Sequence, residues 1–284
     1  MANTIASRVY RDKYRSDMLT SYLSNALVAE KICQVDKSDN KRIQSPYQSQ
    51  ATVTAQALAG TYTVADFTTT DEALDVTAEF IVAEHVKDFE SLLSNFDLFS
   101  DRAREHAIRI GEKIDRYVVN NLCEDATGAY TTPTGGFTTA SNVLAIMANL
   151  ISKVSGYAEM MNGMFLVVEN TDMTGIIQAQ VTNGFSYADA ALNNGFIGNL
   201  LGVDIYVVRT GTFADETLAD KTYTNAGHRV FGIKNVATYA SPRGVKFEEK
   251  PVSLKTGMEV VTVAYCGFKL WTPRTDLIVD ITLA

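Results

Sequence analysis

The stretch 100–124, SDRAREHAIRIGEKIDRYVVNNLCE, decides how the rest of the chain is read. Ala103, Ala107, Ile110, Ile114, Tyr117 and Leu122 recur at steps of three to five and close on one face of a helix. Arg102, Glu105, Arg109, Glu112, Lys113 and Arg116 crowd the other faces. Ser100 suits an N-cap, Asp101 suits the first turn, and Gly128 lies just past the end as a stop signal. At a rise of about 1.5 Å per residue the stretch makes a rod of roughly 37 Å, long for a compact domain. An elongated helix predicts an elongated protein.

Upstream, LDVTAEFIVAEHV (74–86) alternates Leu74, Val76, Ala78, Phe80 and Val82 with Asp75, Thr77, Glu79 and Ile81, which predicts one long, half-buried strand. Phe89, Leu92, Leu93, Phe96 and Phe99 lead from it into the helix. Residues 44–70 are rich in Thr, Ser, Gln and Ala, with Thr52, Thr54, Thr61 and Thr63 alternating with Val53, Ala55, Tyr62 and Val64. That is strand patterning with too little apolar surface for its own core, so a projecting hairpin is expected, opened by Pro46 and bent near Gly60. Met18, Leu19, Tyr22, Leu23, Ala26 and Leu27 form a stripe on a short amphipathic helix ending near Glu30, and residues 1–16 form a basic arm.

Downstream, the prolines punctuate. Pro133 sits in the loop after the helix, Pro242 and Pro251 bracket a turn region, and Pro273 precedes the last strand. Between Pro133 and Pro242 a helix at 141–154, with Val143, Ile146, Met147, Leu150, Ile151 and Val154 inward, is followed by a strand MFLVVEN. A helix at 171–180 and strands GVDIYVVRT and VFGIK come next, a mixture that predicts an α+β or α/β subdomain. GMEVVTVAYCGFKLW (257–271) is a second long element, roughly 50 Å if it is one unbroken strand. DLIVDITLA closes the chain as a strand.

The 284 residues carry a net charge of −8 and 46% hydrophobic residues: a folded protein, and a poor general nucleic-acid binder, since such binders gain affinity by neutralising phosphates. Charge is uneven. Residues 1–43 hold eight Lys and Arg against five acids, whereas 64–90 hold eight acids and only Lys87, so a basic arm and an acidic mid-section can attract each other between copies. Cys33, Cys123 and Cys266 match neither a disulfide framework nor a zinc spacing, and read as reduced, buried thiols. No apolar run is long enough for a membrane span, and the opening residues have no signal-peptide core, which leads us to expect folding in a cytoplasm.

No nucleotide-binding, nucleophile-elbow, zincin, CxxC or EF-hand motif occurs. His85, His106 and His228 are widely separated; His106 is the best candidate for a base, and most such histidines are surface or packing residues. Glu84 with Asp88, and Glu248 with Glu249, form charge clusters that usually mark a solvated face. Lys37, Asn40 and Lys41 are weak candidates for reactive groups, and the Asn-Gly pairs at Asn162, Asn183 and Asn194 are turn chemistry. Tyr47, Tyr62 and Phe67 in the polar hairpin are candidate interface anchors. No catalytic residue, cofactor or metal is expected.

The order of parts resembles the major capsid proteins of tailed phages that share the HK97 fold. GFIGNLLGVDIYVV (195–208) is similar to that family's Gly-rich turn before a strand, and YCGFKLWTPRTDLIVDI (265–281) is similar to its ending through Tyr265, Gly267, Lys269, Pro273 and Leu277. Asp115, after Glu112 and Ile114, matches a pattern in its spine helix. The resemblance implies an α+β fold: an N-terminal arm with a short helix (1–43), an extended loop (44–75), a peripheral domain (76–132 and 241–272) built on a spine helix at 100–124, and an axial domain (133–240 and 273–284).

It also implies a non-enzymatic virion protein assembled in the host cytoplasm into pentamers and hexamers of an icosahedral shell around double-stranded DNA. Packaged DNA would be bound without sequence specificity, no membrane would be involved, and scaffold, portal and decoration proteins are the further partners. A separate scaffold, or none, fits a chain that starts at Met1 with a short arm. Arg8, Arg11, Arg15, Tyr47, Tyr62, Phe67, Asp71 and Glu72 are the candidate inter-subunit contacts. An encapsulin-like bacterial nanocompartment shell is the alternative on the same fold, and a carboxylate-dependent soluble hydrolase is the remote one.

Overall fold

The computed structural model describes residues 28–48, 60, 68–86, 97–182, 196–218, 221–242, 244–251 and 258–284. In chain order these form α1 (Val28–Ile32), β1 (Gln34–Asp36), β2 (Arg42–Gln48), β3 (Thr69–Asp75), β4 (Ala78–Val86) and the long helix α2 (Asp97–Asp125). Then come β5 (Gly128–Thr131), α3 (Ala140–Val154), β6 (Met164–Glu169), α4 (Met173–Thr182), β7 (Phe196–Leu200) and β8 (Val203–Val208). The chain continues through β9 (Asp215–Leu218), β10 (Lys221–Thr224), β11 (His228–Ile233), β12 (Ala237–Ala240), β13 (Val245–Pro251), β14 (Met258–Leu270) and β15 (Ile278–Thr282).

The expected long helix and long strand are both present and lie against each other. Helix α2 has 29 residues, and begins at Asp97 instead of capping at Ser100, because helical backbone continues through Leu98 and Phe99. Its apolar face is as read: Ile110, Ile114, Tyr117 and Leu122 are buried. Strand β14 is the spine of one sheet, pairing with β4 on one edge and with β13 on the other over Met258–Ala264. Its last residues, 267–270, pair with β12, which carries β1 in parallel. The region between Pro242 and Pro251 is therefore strand β13 and not a turn.

A second sheet has the order β5-β15-β11-β6-β8-β7. Strand β6 is buried at every position, which is what a near-continuous apolar run in a strand covered on both faces gives. Helix α3 packs on β11, β15 and α4, burying Val143, Ile146, Met147, Leu150 and Val154, with Ile151 half-buried. Helix α2 also contacts β11 and β15, so its C-terminal half joins the two sheets into one core.

The expected single strand at 74–86 is broken. Residues Leu74 and Asp75 belong to β3, and Val76 and Thr77 turn the chain into β4, with Val76 N–H donating to the Lys41 carbonyl at 2.9 Å. The alternation survives: Ala78 is buried and Phe80 and Val82 are half-buried, while Ile81 is 55% exposed. The helix expected at 17–30 is described only as α1, and the arm at 1–16 and the strands read at 52–64 lie outside the described residues.

Gly175 makes one packing contact decisive. A Cβ there would overlap the backbone carbonyl oxygen of Phe137 in the short 3-10 turn under α4. Gly175→Ala should lower the midpoint of thermal unfolding despite alanine's better helix propensity, with a loss of about 1–3 kcal/mol read from denaturant melts.

Candidate assembly surface

Strands β2 and β3 pair only with each other among the described residues, in full register from Arg42↔Asp75 to Gln48↔Thr69. A two-stranded ribbon has only edge strands, which is why Pro46 is tolerated inside β2 instead of before it. The ribbon is half-exposed along its length and buries only Leu74 fully. Such a ribbon is marginal alone in water, and gains stability from what it lies upon.

Its base is fixed by polar contacts. Glu72 accepts the backbone N–H of Thr272 at 3.0 Å and the Thr272 hydroxyl, with the Lys269 ammonium 3.9 Å away. Leu74 and Asp75 press on Gly267, where a Cβ would lie 2.8 Å from Leu74 Cδ2 and 3.0 Å from the Asp75 carbonyl oxygen. Tyr47 is half-buried and Asp71 exposed on the ribbon, while Arg8, Arg11, Arg15, Tyr62 and Phe67 lie outside the described residues.

The charged faces of α2 are used largely within the chain. Arg116 reaches the Gly211 carbonyl and Glu216, Lys113 pairs with Glu216 at 3.3 Å, and Arg209 pairs with Glu112 at 3.2 Å. These contacts form one wall of an open groove of about 850 Å³, with Glu79, Ile81 and Val82 of β4 among its other lining residues. His106 is not the surface residue expected of a charged helix face. It is 2% exposed, with Nδ1 3.2 Å from Thr262 Oγ1 of β14 and Nε2 3.3 Å from Glu84 of β4. The reason is that His106 lies one turn before Ile110 at the border of the apolar face, and that face packs on the β4–β14 sheet, with the Tyr117 ring 5.9 Å from that of Phe80 in β4.

No family model and no curated protein matches the chain. Solved structures do. The capsid of the cyanophage P-SCSP1u is 12% identical, with 91% of this chain and 88% of that one covered at a TM-score of 0.68. A structure of Mycobacterium phage Che8 is 19% identical, with 85% and 84% covered at 0.63. A virus-like particle from Pyrococcus furiosus is 10% identical, with 96% and 99% covered at 0.60. The chain has the HK97-like capsid fold.

Among the described residues, six large apolar side chains are exposed. Ile81 and Ile108 lie on β4 and α2. Met161, 94% exposed, and Leu201 stand in the turns that lead into the parallel strands β6 and β8. Tyr157, just past α3, and Val181, at the end of α4, are the other two.

One cluster among the described residues brings together a histidine, a carboxylate and a cysteine. His228 Nδ1 lies 2.9 Å from Asp280, and Cys123 lies beside the same carboxylate. Burial, then the Asp280 charge, pushes the Cys123 thiol well above its ordinary range, the reverse of what a nucleophilic cysteine needs. All three cysteines are free and buried, as expected. Of the remaining candidates, Asp88 and the side chains of Glu248 and Glu249 lie outside the described residues. Lys37 makes a surface pair with Glu30 at 3.7 Å. Among the described residues no group of three His, Cys, Asp or Glu could hold a metal, and no helix is long and apolar enough to cross a membrane.

A polar cluster with no signal in the sequence sits in the second sheet. Arg229 of β11, 3% exposed, donates to Glu169 at 3.1 Å, to Asp172, and to the His228 carbonyl at 2.6 Å, with its guanidinium 5.2 Å from the centre of the Phe213 ring. Glu169 also accepts the N–H groups of Gly211 and Phe213, and Asp172 accepts that of Glu169. One cluster thus fixes the end of β6, the start of α4 and the loop after β8.

Proposed function

We propose that the chain is the major capsid protein of a tailed bacteriophage, whose copies close as pentamers and hexamers into an icosahedral shell around double-stranded DNA. The observation that carries this reading is the capsid fold itself, matched over 91% of the chain in the cyanophage capsid. The β2–β3 ribbon supports it, because a ribbon that buries little of itself gains most when laid over a neighbouring subunit. In this reading α2, β4, β13 and β14 make the peripheral domain. The six-stranded sheet makes the axial domain, and its exposed Met161, Val181 and Leu201 face other copies. The role is structural and not enzymatic, and the location is the virion, after assembly in the host cytoplasm with scaffold, portal and decoration proteins as further partners.

A nanocompartment shell is the second reading, with weak support from the likeness to the virus-like particle of Pyrococcus furiosus. Contents separate the two. Particles purified from producing cells and treated with nuclease should retain protected double-stranded DNA; particles that protect a cargo protein and no DNA would overturn the phage reading in favour of the compartment.

A further inference from the structure

Glu72, expected to reach another copy, turns instead onto its own chain. The β2–β3 ribbon has two unlike faces. Along β2, Arg42, Gln44, Pro46 and Gln48 are exposed, whereas Ile43, Ser45 and Tyr47 are half-buried. Ile43 pairs with Leu74 and Ser45 with Glu72, so these four side chains share the inner face. Leu74 on that face rests against Gly267 of β14, an apolar contact with no directional preference. Glu72 lies two residues further out, about 7 Å along the strand. It accepts the Thr272 N–H at 3.0 Å and the Thr272 hydroxyl, two charge-assisted bonds that do have a direction. The receiving residue sits on a fixed support. Trp271 Nε1 donates to Thr238 of β12 at 2.9 Å, and the Arg274 N–H donates to the Trp271 carbonyl at 2.8 Å.

We propose that Glu72 is the positioning residue of the ribbon: by gripping Thr272 it holds the ribbon at one angle to β14, so that the far end meets the neighbouring copy already in place. The inference rests on the shell reading and names a residue on which the assembly step depends. The Val76 N–H bond to the Lys41 carbonyl closes the base of the ribbon, and Leu74 seats it, but both lie near the pivot and leave tilt free. From Leu74 to Thr69 the strand runs about 17 Å, so a tilt of about 10° carries its end through about 3 Å, enough to forfeit packing contacts there. A ribbon ordered in advance removes that ordering cost from association. Loss of Glu72 therefore falls on assembly more than on the subunit, because Leu74 alone of the ribbon's residues is fully buried. Lys269, 3.9 Å from Glu72 and with its side chain 34% exposed, adds little to the grip.

Assembly and subunit are read separately. The critical concentration for shell formation, followed by light scattering, should rise about tenfold or more in Glu72→Ala. Glu72→Gln, which keeps the shape and an acceptor for the Thr272 N–H, should recover most of that loss. The melting midpoint of the unassembled subunit should change little; a fall in step with the loss of assembly would make Glu72 an ordinary structural contact and overturn the proposal. Thr272→Val, which removes the hydroxyl donor, should weaken assembly with Glu72 in place and act by less than about twofold in the Glu72→Ala background. An equal loss in both backgrounds would show each side chain touching a neighbour on its own account, and would also overturn it. A second measurement needs no assembly. Spin labels on Gln48→Cys and Lys153→Cys, at two exposed positions in a chain whose three native cysteines are buried, should give one narrow distance distribution in the unassembled subunit and a broad one once Glu72→Ala is added. Identical distributions would contradict the proposal. A wild type that forms no shells overturns the shell reading, whereas equal shell formation by the wild type and Glu72→Ala overturns this inference alone.

Discussion

Arg229→Ala is expected to cost about 3–5 kcal/mol in denaturant unfolding, a large fraction of a domain's whole stability. The substitution leaves the carboxylates of Glu169 and Asp172, 7% and 1% exposed, without their cation in a part of the protein where water cannot replace it. It also removes the bonds that hold β11 to the end of β6 and the start of α4, and the cation over the Phe213 ring. Arg229→Lys restores the charge without the planar fork, so it should recover part of the loss and not all of it. Equal stability of Arg229→Ala and the wild type would show that the two carboxylates are satisfied in some other way.

Replacing residues 48–69 by Asn-Gly is expected to abolish assembly and leave a folded monomer. The replacement joins Tyr47 to Thr70, which are paired residues in β2 and β3, by a two-residue turn suited to a hairpin. The contacts that anchor the base, Glu72 with Thr272 and Leu74 against Gly267, remain. Sedimentation should find small species, and thermal unfolding should stay cooperative. Loss of cooperative unfolding would mean that the removed residues belong to the core of the monomer.

The periodicity of α2 is legible because a helix that packs along its length repeats its apolar residues, and Ile110, Ile114, Tyr117 and Leu122 do so. The same periodicity does not decide His106, which at 100° per residue falls at the border between Ile110 and Tyr117 on the apolar face and Lys113 on the charged one; the packing of α2 on the β4–β14 sheet buries it. The break between β3 and β4 is hidden by alternation that continues in phase across it. The Arg229 cluster is out of reach for another reason. Arg229 lies 60 residues from Glu169 and 57 from Asp172, and only the register of β11 on β6, with Val230 opposite Val167, brings them together. Asp115 stands out in the sequence only as part of a family pattern; its partner Ala29 is 86 residues away, and no local spacing announces that contact.

The proposed function rests most directly on assembly, and electron microscopy of the purified, full-length protein tests it. Closed icosahedral shells built of pentamers and hexamers are the expected result. Discrete small oligomers under every condition, with no shells, would contradict it.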